Sequence, residues 1–191
     1  MKKSIYYSLL ISAMMSVSVA EETRQVDKHE HGVGVLNIAT EGNSINFEFM
    51  IPGADIVGFE YKAKSDSDIA LVNAALTKFE QFENIFTNPS SSNCTLADSM
   101  IEVDQDEDHD EHDDHDEHDD HDDHDEEAHN EFVAHYSFNC GNVKEIDRID
   151  FPYFNTFPNS GELEVQFVSG VGSTSFEVEG DKPFIDLKGK I

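Results

Sequence analysis

Six histidines recur at every third position in the middle of the chain, and nearly every residue between them is Asp or Glu. Neutral imidazole nitrogens and carboxylate oxygens are ligands that Zn²⁺ accepts in proteins. A stretch of them without apolar side chains cannot bury a core, so we expect residues 104–130 to be a disordered, metal-binding insertion. We term it the His/Asp tract. A seventh histidine lies near its end, so that its histidines are His109, His112, His115, His118, His121, His124 and His129.

The three-residue step limits the kind of metal site that the tract can form. On an α-helix the step turns each histidine by ~60° from the last. In an extended polyproline II chain neighbours lie ~9 Å apart, too far to share one ion at a Zn–N distance of ~2 Å. The tract must therefore fold around each ion, which predicts modest affinity and variable stoichiometry. Cu²⁺ and Ni²⁺ can bind to the same ligands as Zn²⁺, and Ca²⁺ can bind to the carboxylates alone. The alternative without metal is that the tract is a solvated acidic spacer.

The first residues have the pattern of a secretory signal peptide. Lys2 and Lys3 precede a short apolar run, and Ser18-Val19-Ala20 predicts cleavage after Ala20, so residues 1–20 are expected to be removed. The run is shorter than the ~20 residues of a membrane-spanning helix. We therefore expect an exported protein without membrane insertion, in which residues 21–191 form a single domain that carries the tract.

The charge of the chain is strongly negative. Of its 41 acidic residues, 19 lie between Glu102 and Glu131, where there is no Lys or Arg. The remaining 22 acidic residues (41 minus 19) face 12 basic ones, so the rest of the chain is acidic too. Nucleic acid is not expected as a partner, because phosphate binding needs clustered Lys and Arg. Cations are the expected partners.

The two cysteines, Cys94 and Cys140, lie on either side of the tract. In an exported protein an isolated pair favours a disulfide. Two thiolate metal ligands at the base of the tract are the alternative. A disulfide would close a long loop and stabilise the fold by about 4 kcal/mol through chain entropy.

Hydrophobic periodicity predicts an α+β fold, mainly an antiparallel β-sheet of about seven strands with one amphipathic helix. Alternating apolar residues predict a hairpin over 33–51, joined by Glu41-Gly42-Asn43-Ser44. From Asp66 to Phe86 the period changes to about 3.6, which predicts the helix. Further strands are predicted over 163–168, 173–179 and 184–187.

The segments that flank the tract are expected to pair as an antiparallel hairpin with the tract at its tip. If the two cysteines lie opposite each other, paired residue numbers sum to 234, and Val103 faces Glu131. This register places Met100 on the core face. It also places Asp98 there, opposite Tyr136, a cost that a side-chain hydrogen bond would have to offset.

Three histidines lie outside the tract, and they predict an ordered zinc site. His29 and His31 are two residues apart at the start of the first strand, so their side chains point the same way. His135 lies on a strand whose outer face can meet that first strand. Three imidazoles with water or a carboxylate such as Glu30 make a usual zinc site. A surface pair without a role is the alternative.

Motifs of the common hydrolases are missing from the sequence. His29-Glu30-His31-Gly32 lacks the His-Glu-x-x-His spacing, and no Gly-x-Ser-x-Gly or phosphate-binding glycine loop occurs. A zinc ion held by three histidines can activate water, so a zinc-dependent hydrolase remains an alternative. We predict that the protein is not an enzyme.

Several motifs together resemble the ZrgA family of periplasmic zinc-regulated, zinc-binding proteins. They are the export signal, His29-x-His31-Gly32 with Leu36-Asn37-Ile38-Ala39 and Glu41-Gly42, Pro52 through Gly58-Phe59-Glu60, the His/Asp insertion, and Phe157-Pro158 before Leu163-Glu164-Val165-Gln166-Phe167. The resemblance covers essentially the whole mature chain. It implies a periplasmic protein that is made when zinc is scarce, binds Zn²⁺ and supports a high-affinity ABC importer.

Within this resemblance the family's His-x-His falls on His29 and His31, and its histidine-rich insertion on His109 to His129. Many relatives have a histidine after Gly-Phe-Glu, where this chain has Tyr61. That departure weakens the ordered site or requires another ligand. The prediction is a protein that scavenges Zn²⁺ with the tract and transfers it to a periplasmic zinc-binding component of an importer. A storage or detoxification buffer is the alternative.

Overall fold

The computed structural model of the chain describes residues 32–87, 92–104 and 130–191. These residues form a mostly β structure with few helices, in agreement with the predicted class. The predicted signal peptide and residues 105–129 of the tract lie outside them. The elements are β1 (Val33–Glu41), β2 (Ser44–Pro52), α1 (Gly53–Val57), α2 (Asp66–Phe79), β3 (Thr95–Asp104), β4 (Glu131–Asn139), β5 (Arg148–Asp150), α3 (Tyr153–Thr156), β6 (Glu162–Ser169), β7 (Gly172–Glu179) and β8 (Phe184–Asp186).

Six of these strands form one sheet in the order β3-β4-β2-β1-β6-β7, and β5 pairs with β8 in a small second sheet. The described residues thus contain eight strands in two sheets, where the sequence predicts about seven in one. The β1–β2 hairpin is confirmed, with Gly42 at φ 60° in its turn. β1 and β6 pair in parallel, a contact that periodicity does not reveal because it joins distant parts of the chain.

One face of the large sheet is buried, because apolar side chains occupy alternate positions of its strands. Helix α2 packs on this face through Phe79, whose ring stacks at 5.0 Å from Phe157 and 6.0 Å from Phe132, centroid to centroid. The Tyr136 hydroxyl donates a hydrogen bond of 2.6 Å to the Phe79 carbonyl oxygen. The buried sheet residues include Leu36, Ile38, Ile45, Phe47, Phe49, Ile51, Phe132, Ala134, Tyr136, Phe138, Leu163, Val165, Phe167 and Val178.

The long helix begins where the sequence predicts but ends earlier. Ser65 caps it by accepting a hydrogen bond from the Asp68 backbone N–H. It ends at Phe79, and a separate 3-10 turn over Phe82–Asn84 continues the apolar pattern. Ile69, an apolar residue in the first turns of this helix, is 42% exposed. Among the described residues, no helix is both long enough and apolar enough to span a membrane.

The hairpin of β3 and β4 is confirmed, but its predicted register is wrong beyond Leu96. A bulge between Leu96 and Asp98 shifts the pairing by one residue, so that Val103 faces Phe132 and Asp98 faces Ser137. A one-residue slip moves every later side chain to the opposite face. Asp98 therefore leaves the core face, and Met100, predicted to be buried, is 47% exposed.

Cys94 and Cys140 form a disulfide at the end of this hairpin away from the tract. The predicted bridge is therefore confirmed. The described residues contain no free cysteine. The disulfide and the β3–β4 ladder together join the two segments that lead into and out of the tract.

Candidate metal centre

The tract is attached to the sheet at two neighbouring positions. Its histidines lie outside the described residues, but Asp104 ends β3 and Asn130 immediately precedes β4. Asp104 pairs with Glu131 across the hairpin. The backbone carbonyl of Asn130 also accepts a hydrogen bond of 2.7 Å from the Gly53 N–H. The tract is thus a closed loop whose two ends are held side by side.

The segment that carries His29 and His31 joins the sheet at the same end. Both histidines lie outside the described residues, and Gly32 follows them directly. The Gly32 carbonyl accepts hydrogen bonds from the backbone N–H groups of Gly161 and Glu162 at 3.0 and 2.8 Å. Since β1 and β2 are antiparallel, the start of β1 is level with the end of β2, which pairs with the start of β4. The two histidine-bearing segments therefore emerge at one end of the sheet.

His135 lies on the other, solvent-facing side of the sheet, in the middle of β4. Its Nδ1 is 3.8 Å from Oε1 of Glu48 on β2, and both side chains are about two-fifths exposed, at 38% and 41%. The other carboxylate oxygen of Glu48, Oε2, accepts a hydrogen bond of 3.0 Å from the Asn37 amide on β1. Glu48 is therefore oriented by Asn37 and faces the imidazole, an arrangement that suits a carboxylate orienting a ligating histidine.

A groove of about 410 Å³ surrounds this pair on the outer face. Its polar lining residues besides the pair are Asn37, Asn46, Asp98, Ser137 and Gln166. The bulge in β3 brings Asp98 to this groove, where the predicted register would have buried it. The groove thus holds one imidazole and two carboxylates.

The described residues do not bring His135 together with the start of β1. His135 pairs with Glu48, which pairs with Asn37, and Gly32 lies five residues before Asn37. At ~3.3 Å per residue this is roughly 16 Å along the strands, with two strand spacings of ~4.8 Å across them. His29 and His31 would meet His135 only if residues 29–31 folded back over the outer face. The described part of the chain contains no group of three or more His, Cys, Asp or Glu side chains suited to a metal ion.

A second set of polar side chains is buried where the two histidine-bearing segments join the sheet. Asp55 in α1 is 3% exposed, and its Oδ1 accepts a hydrogen bond of 2.9 Å from the Gly32 backbone N–H. Asn130 is 2% exposed, and its side-chain oxygen and nitrogen have no hydrogen-bond partner among the described residues. The carbon Cγ of Asn130 lies 2.9 Å from where a Cβ on Gly53 would be. Glycine at position 53 therefore leaves the space that the Asn130 amide occupies.

The charge of Asp55 acts on a neighbouring phenol. Burial raises the pKa of Tyr153 well above its ordinary value, and the negative charge of Asp55 raises it further. A hydrogen bond of 2.7 Å donated by the Ser160 hydroxyl to the Tyr153 oxygen opposes this shift. Tyr153 therefore stays neutral at physiological pH.

Comparison with known proteins identifies the family of the chain. Residues 28–187 match the model of a family described as ZrgA family zinc uptake protein. The chain belongs to the ZrgA family. The matched range includes the tract, His29, His31 and His135. A search of curated proteins finds no match.

In this ZrgA-family chain, sequence reasoning missed three polar residues at the candidate sites: Asp55, Asn130 and Glu48. Asp55 lies in α1, whose other residues are Gly, Ala, Ile and Val. An acidic residue among apolar ones, just after Pro52-Gly53, is the available signal. Glu48 gives no such signal, because alternate polar positions on a strand are the ordinary pattern of a solvent-facing side.

Proposed function

We propose that this chain is a periplasmic protein that captures Zn²⁺ with the His/Asp tract and supports zinc uptake through a high-affinity ABC importer. Its membership of a zinc uptake family is the observation that carries the proposal. The protein is then exported through its signal peptide, and its partners are zinc ions and a periplasmic zinc-binding component of the importer. Other divalent transition metals can compete for the same ligands.

The attachment of the tract supports capture of several ions. Both ends of the loop are held at neighbouring strand positions, Asp104 and Asn130. Seven imidazoles on so short a loop are at an effective concentration of the order of millimolar or higher, so a first ligand contact promotes the next. An ion bound in this way can exchange between ligand sets, which favours transfer to an acceptor over long-term storage.

The charge of the chain also supports a cation as cargo. Its formal net charge is −29 at pH 7 with neutral histidines. A concentrated negative charge raises the local concentration of divalent cations and speeds their encounter with the protein. Neutral imidazoles then select transition metals, since Ca²⁺ and Mg²⁺ prefer oxygen ligands.

We propose His29, His31 and His135 as further zinc ligands outside the tract. Oε1 of Glu48 lies 3.8 Å from Nδ1 of His135 and can orient the imidazole. Exchange of His135 for Gln, in a chain that retains the tract, tests this role. The proposal expects a lower number of bound Zn²⁺ ions than in the parent, counted by native mass spectrometry, and an unchanged number contradicts it.

A growth experiment tests the proposed function. Cells that lack the protein are supplied with either the natural chain or a chain in which the seven tract histidines are Asn, and are grown with a zinc chelator. The natural chain should restore growth at low zinc, and the Asn variant should not. A protein that only buffers metal would instead protect against excess zinc and give no benefit at low zinc, which would contradict a role in uptake.

A further inference from the structure

We infer that the solvent-facing side of the large sheet has a site for monovalent copper, in which His135 is the imidazole ligand and Met50 and Met100 are the thioether ligands. The inference goes beyond the proposed zinc function. Thioether sulfur is not among the usual ligands of Zn²⁺ in proteins, whereas Cu⁺ favours it. The chain would thus hold a second metal on the folded sheet, apart from the His/Asp tract.

The methionines of the chain are unevenly distributed. Of the five, three lie in the predicted signal peptide, so the predicted mature chain has two. Met50 lies on the solvent-facing side of β2, where it alternates with the buried Phe49 and Ile51, and Met100 on β3 is 47% exposed. Methionine is among the residue types that are most often buried. Core packing therefore does not account for the position of either thioether.

The strand register places both methionines beside His135. Met100 lies directly opposite His135 across the β3–β4 ladder, and Cβ atoms of such a pair are about 4.5–5.5 Å apart on one face. On the other side of β4, His135 pairs with Glu48. Met50 is the next outward residue of β2 and lies diagonal to His135, at about 7–8 Å, which long side chains can span. Methionine has three rotatable bonds, so its sulfur can adjust to an ion between these positions.

The bulge in β3 is the feature that turns Met100 to this side. Without it Met100 would lie opposite Ala134, whose side chain is on the buried face. Bulges occur where a strand must re-aim a side chain, often next to functional sites. The bulge therefore brings a thioether to the same face as the imidazole.

The polar neighbours of His135 favour a metal on its second ring nitrogen. Nδ1 lies 3.8 Å from Oε1 of Glu48, and Oε2 of Glu48 accepts a hydrogen bond of 3.0 Å from the Asn37 amide. A carboxylate on one ring nitrogen with a metal on the other is the usual arrangement of a metal-binding histidine. Nε2 is then the ligating nitrogen. Two thioethers and a neutral imidazole leave Cu⁺ its single positive charge, which the nearby Glu48 carboxylate offsets.

The test uses the full chain with the seven tract histidines changed to Asn, so that the tract does not compete for copper. Cu⁺ is kept reduced with ascorbate under argon, and a thiol assay checks that the disulfide stays intact. Affinity is measured by competition with the chromophoric Cu⁺ chelator bicinchoninate. NMR of ¹³C-labelled methionine methyl groups follows Met50 and Met100 during the titration.

The variants are Met50→Leu and Met100→Leu, which remove the sulfur and nearly conserve side-chain volume, so the fold should be retained. Val168→Leu is the matched control, because Val168 is 50% exposed on the same side of the sheet and has no sulfur. His135→Gln removes the imidazole. The number of bound Zn²⁺ ions in each methionine variant is counted by native mass spectrometry.

We expect Cu⁺ to shift the methyl signals of both methionines within the first equivalent. Each methionine variant and His135→Gln should weaken Cu⁺ binding at least tenfold, and Val168→Leu should leave it unchanged. Methyl signals that stay unmoved while Cu⁺ binds, or unchanged affinity in both methionine variants, overturn the inference. Loss of Zn²⁺ from the methionine variants also overturns it, because the change would then be a general disruption. None of these outcomes bears on Zn²⁺ capture by the tract, whose histidines are absent from the chain tested.

Discussion

The disulfide between Cys94 and Cys140 carries a quantitative prediction about how the tract is anchored. The two residues are 46 positions apart, and the loop between them includes the tract. In the chain-entropy account a bridge that closes a loop of this length stabilises the fold by about 4 kcal/mol. Changing both cysteines to Ala should lower the free energy of unfolding by this amount.

Loop length provides an internal check on the origin of that stability. Deleting residues 105–129 shortens the separation from 46 to 21 positions, since 25 residues are removed. The same account then gives about 3.3 kcal/mol for the bridge, a loss of about 0.7 kcal/mol. The bridge should therefore stabilise the shortened chain less than the natural one.

Urea unfolding of four proteins measures both quantities: the natural chain and the tract deletion, each with cysteines or with alanines. Metal must be removed with a chelator, because ligand binding adds to apparent stability. A loss of under about 1 kcal/mol on removal of the bridge would show that the bridge does not stabilise the fold to the extent that chain entropy gives. Equal losses in long and short loops would show that chain entropy is not the source.

Zinc binding by the tract should survive loss of the bridge, because its sites form around each ion.

Three further predictions concern pH and packing. Burial raises the pKa of both Tyr136 and Tyr153. Above pH ~10 these phenols therefore ionise only in the unfolded chain. The free energy of unfolding should then fall by about 1.4 kcal/mol per pH unit for each tyrosine. Urea unfolding between pH 9 and 11 should show this fall in the free energy of unfolding. Replacing both tyrosines with Phe should remove the fall, and an equal fall in the Phe variant would contradict the prediction. Gly53→Ala places a Cβ 2.7 Å from the Phe59 carbonyl and should cost about 1–3 kcal/mol in urea unfolding, whereas Gly170→Ala, with open space around it, should cost little. Zinc should dissociate as pH falls towards 5, because imidazoles with an ordinary pKa of ~6.5 become protonated and cannot bind metal; equilibrium dialysis with undiminished binding there would indicate carboxylate-only sites.

Local patterns in the sequence predicted much of the fold. The alternation of Ile45, Phe47 and Phe49 predicted the buried side of β2, and the change of period at Asp66 predicted the start of α2. Both signals are local, since they depend on the strand period and on the helix period. The cysteine pair also predicted its bridge correctly, because an exported chain with two cysteines has one way to pair them.

Features set by tertiary contacts were not predictable in this way. The bulge after Leu96 shifts the pairing of β3 with β4 by one residue. The two registers differ in the face on which Asp98 and Met100 lie, and the alternation of apolar residues does not distinguish them. The parallel pairing of β1 with β6 joins segments more than a hundred residues apart. The buried cluster at Asp55 forms only when α1, Gly32 and Asn130 meet, so no spacing in the sequence announces it.

We propose that the imidazoles of the His/Asp tract bind Zn²⁺, and NMR of the histidine rings measures this binding at the ligands themselves. The natural chain is titrated with Zn²⁺ at pH 7, and the ring signals of His109 to His129 are followed. We expect these signals to shift or broaden as the first equivalents are added, with several equivalents needed to complete the change. Ring signals that stay unmoved while zinc binds would contradict it.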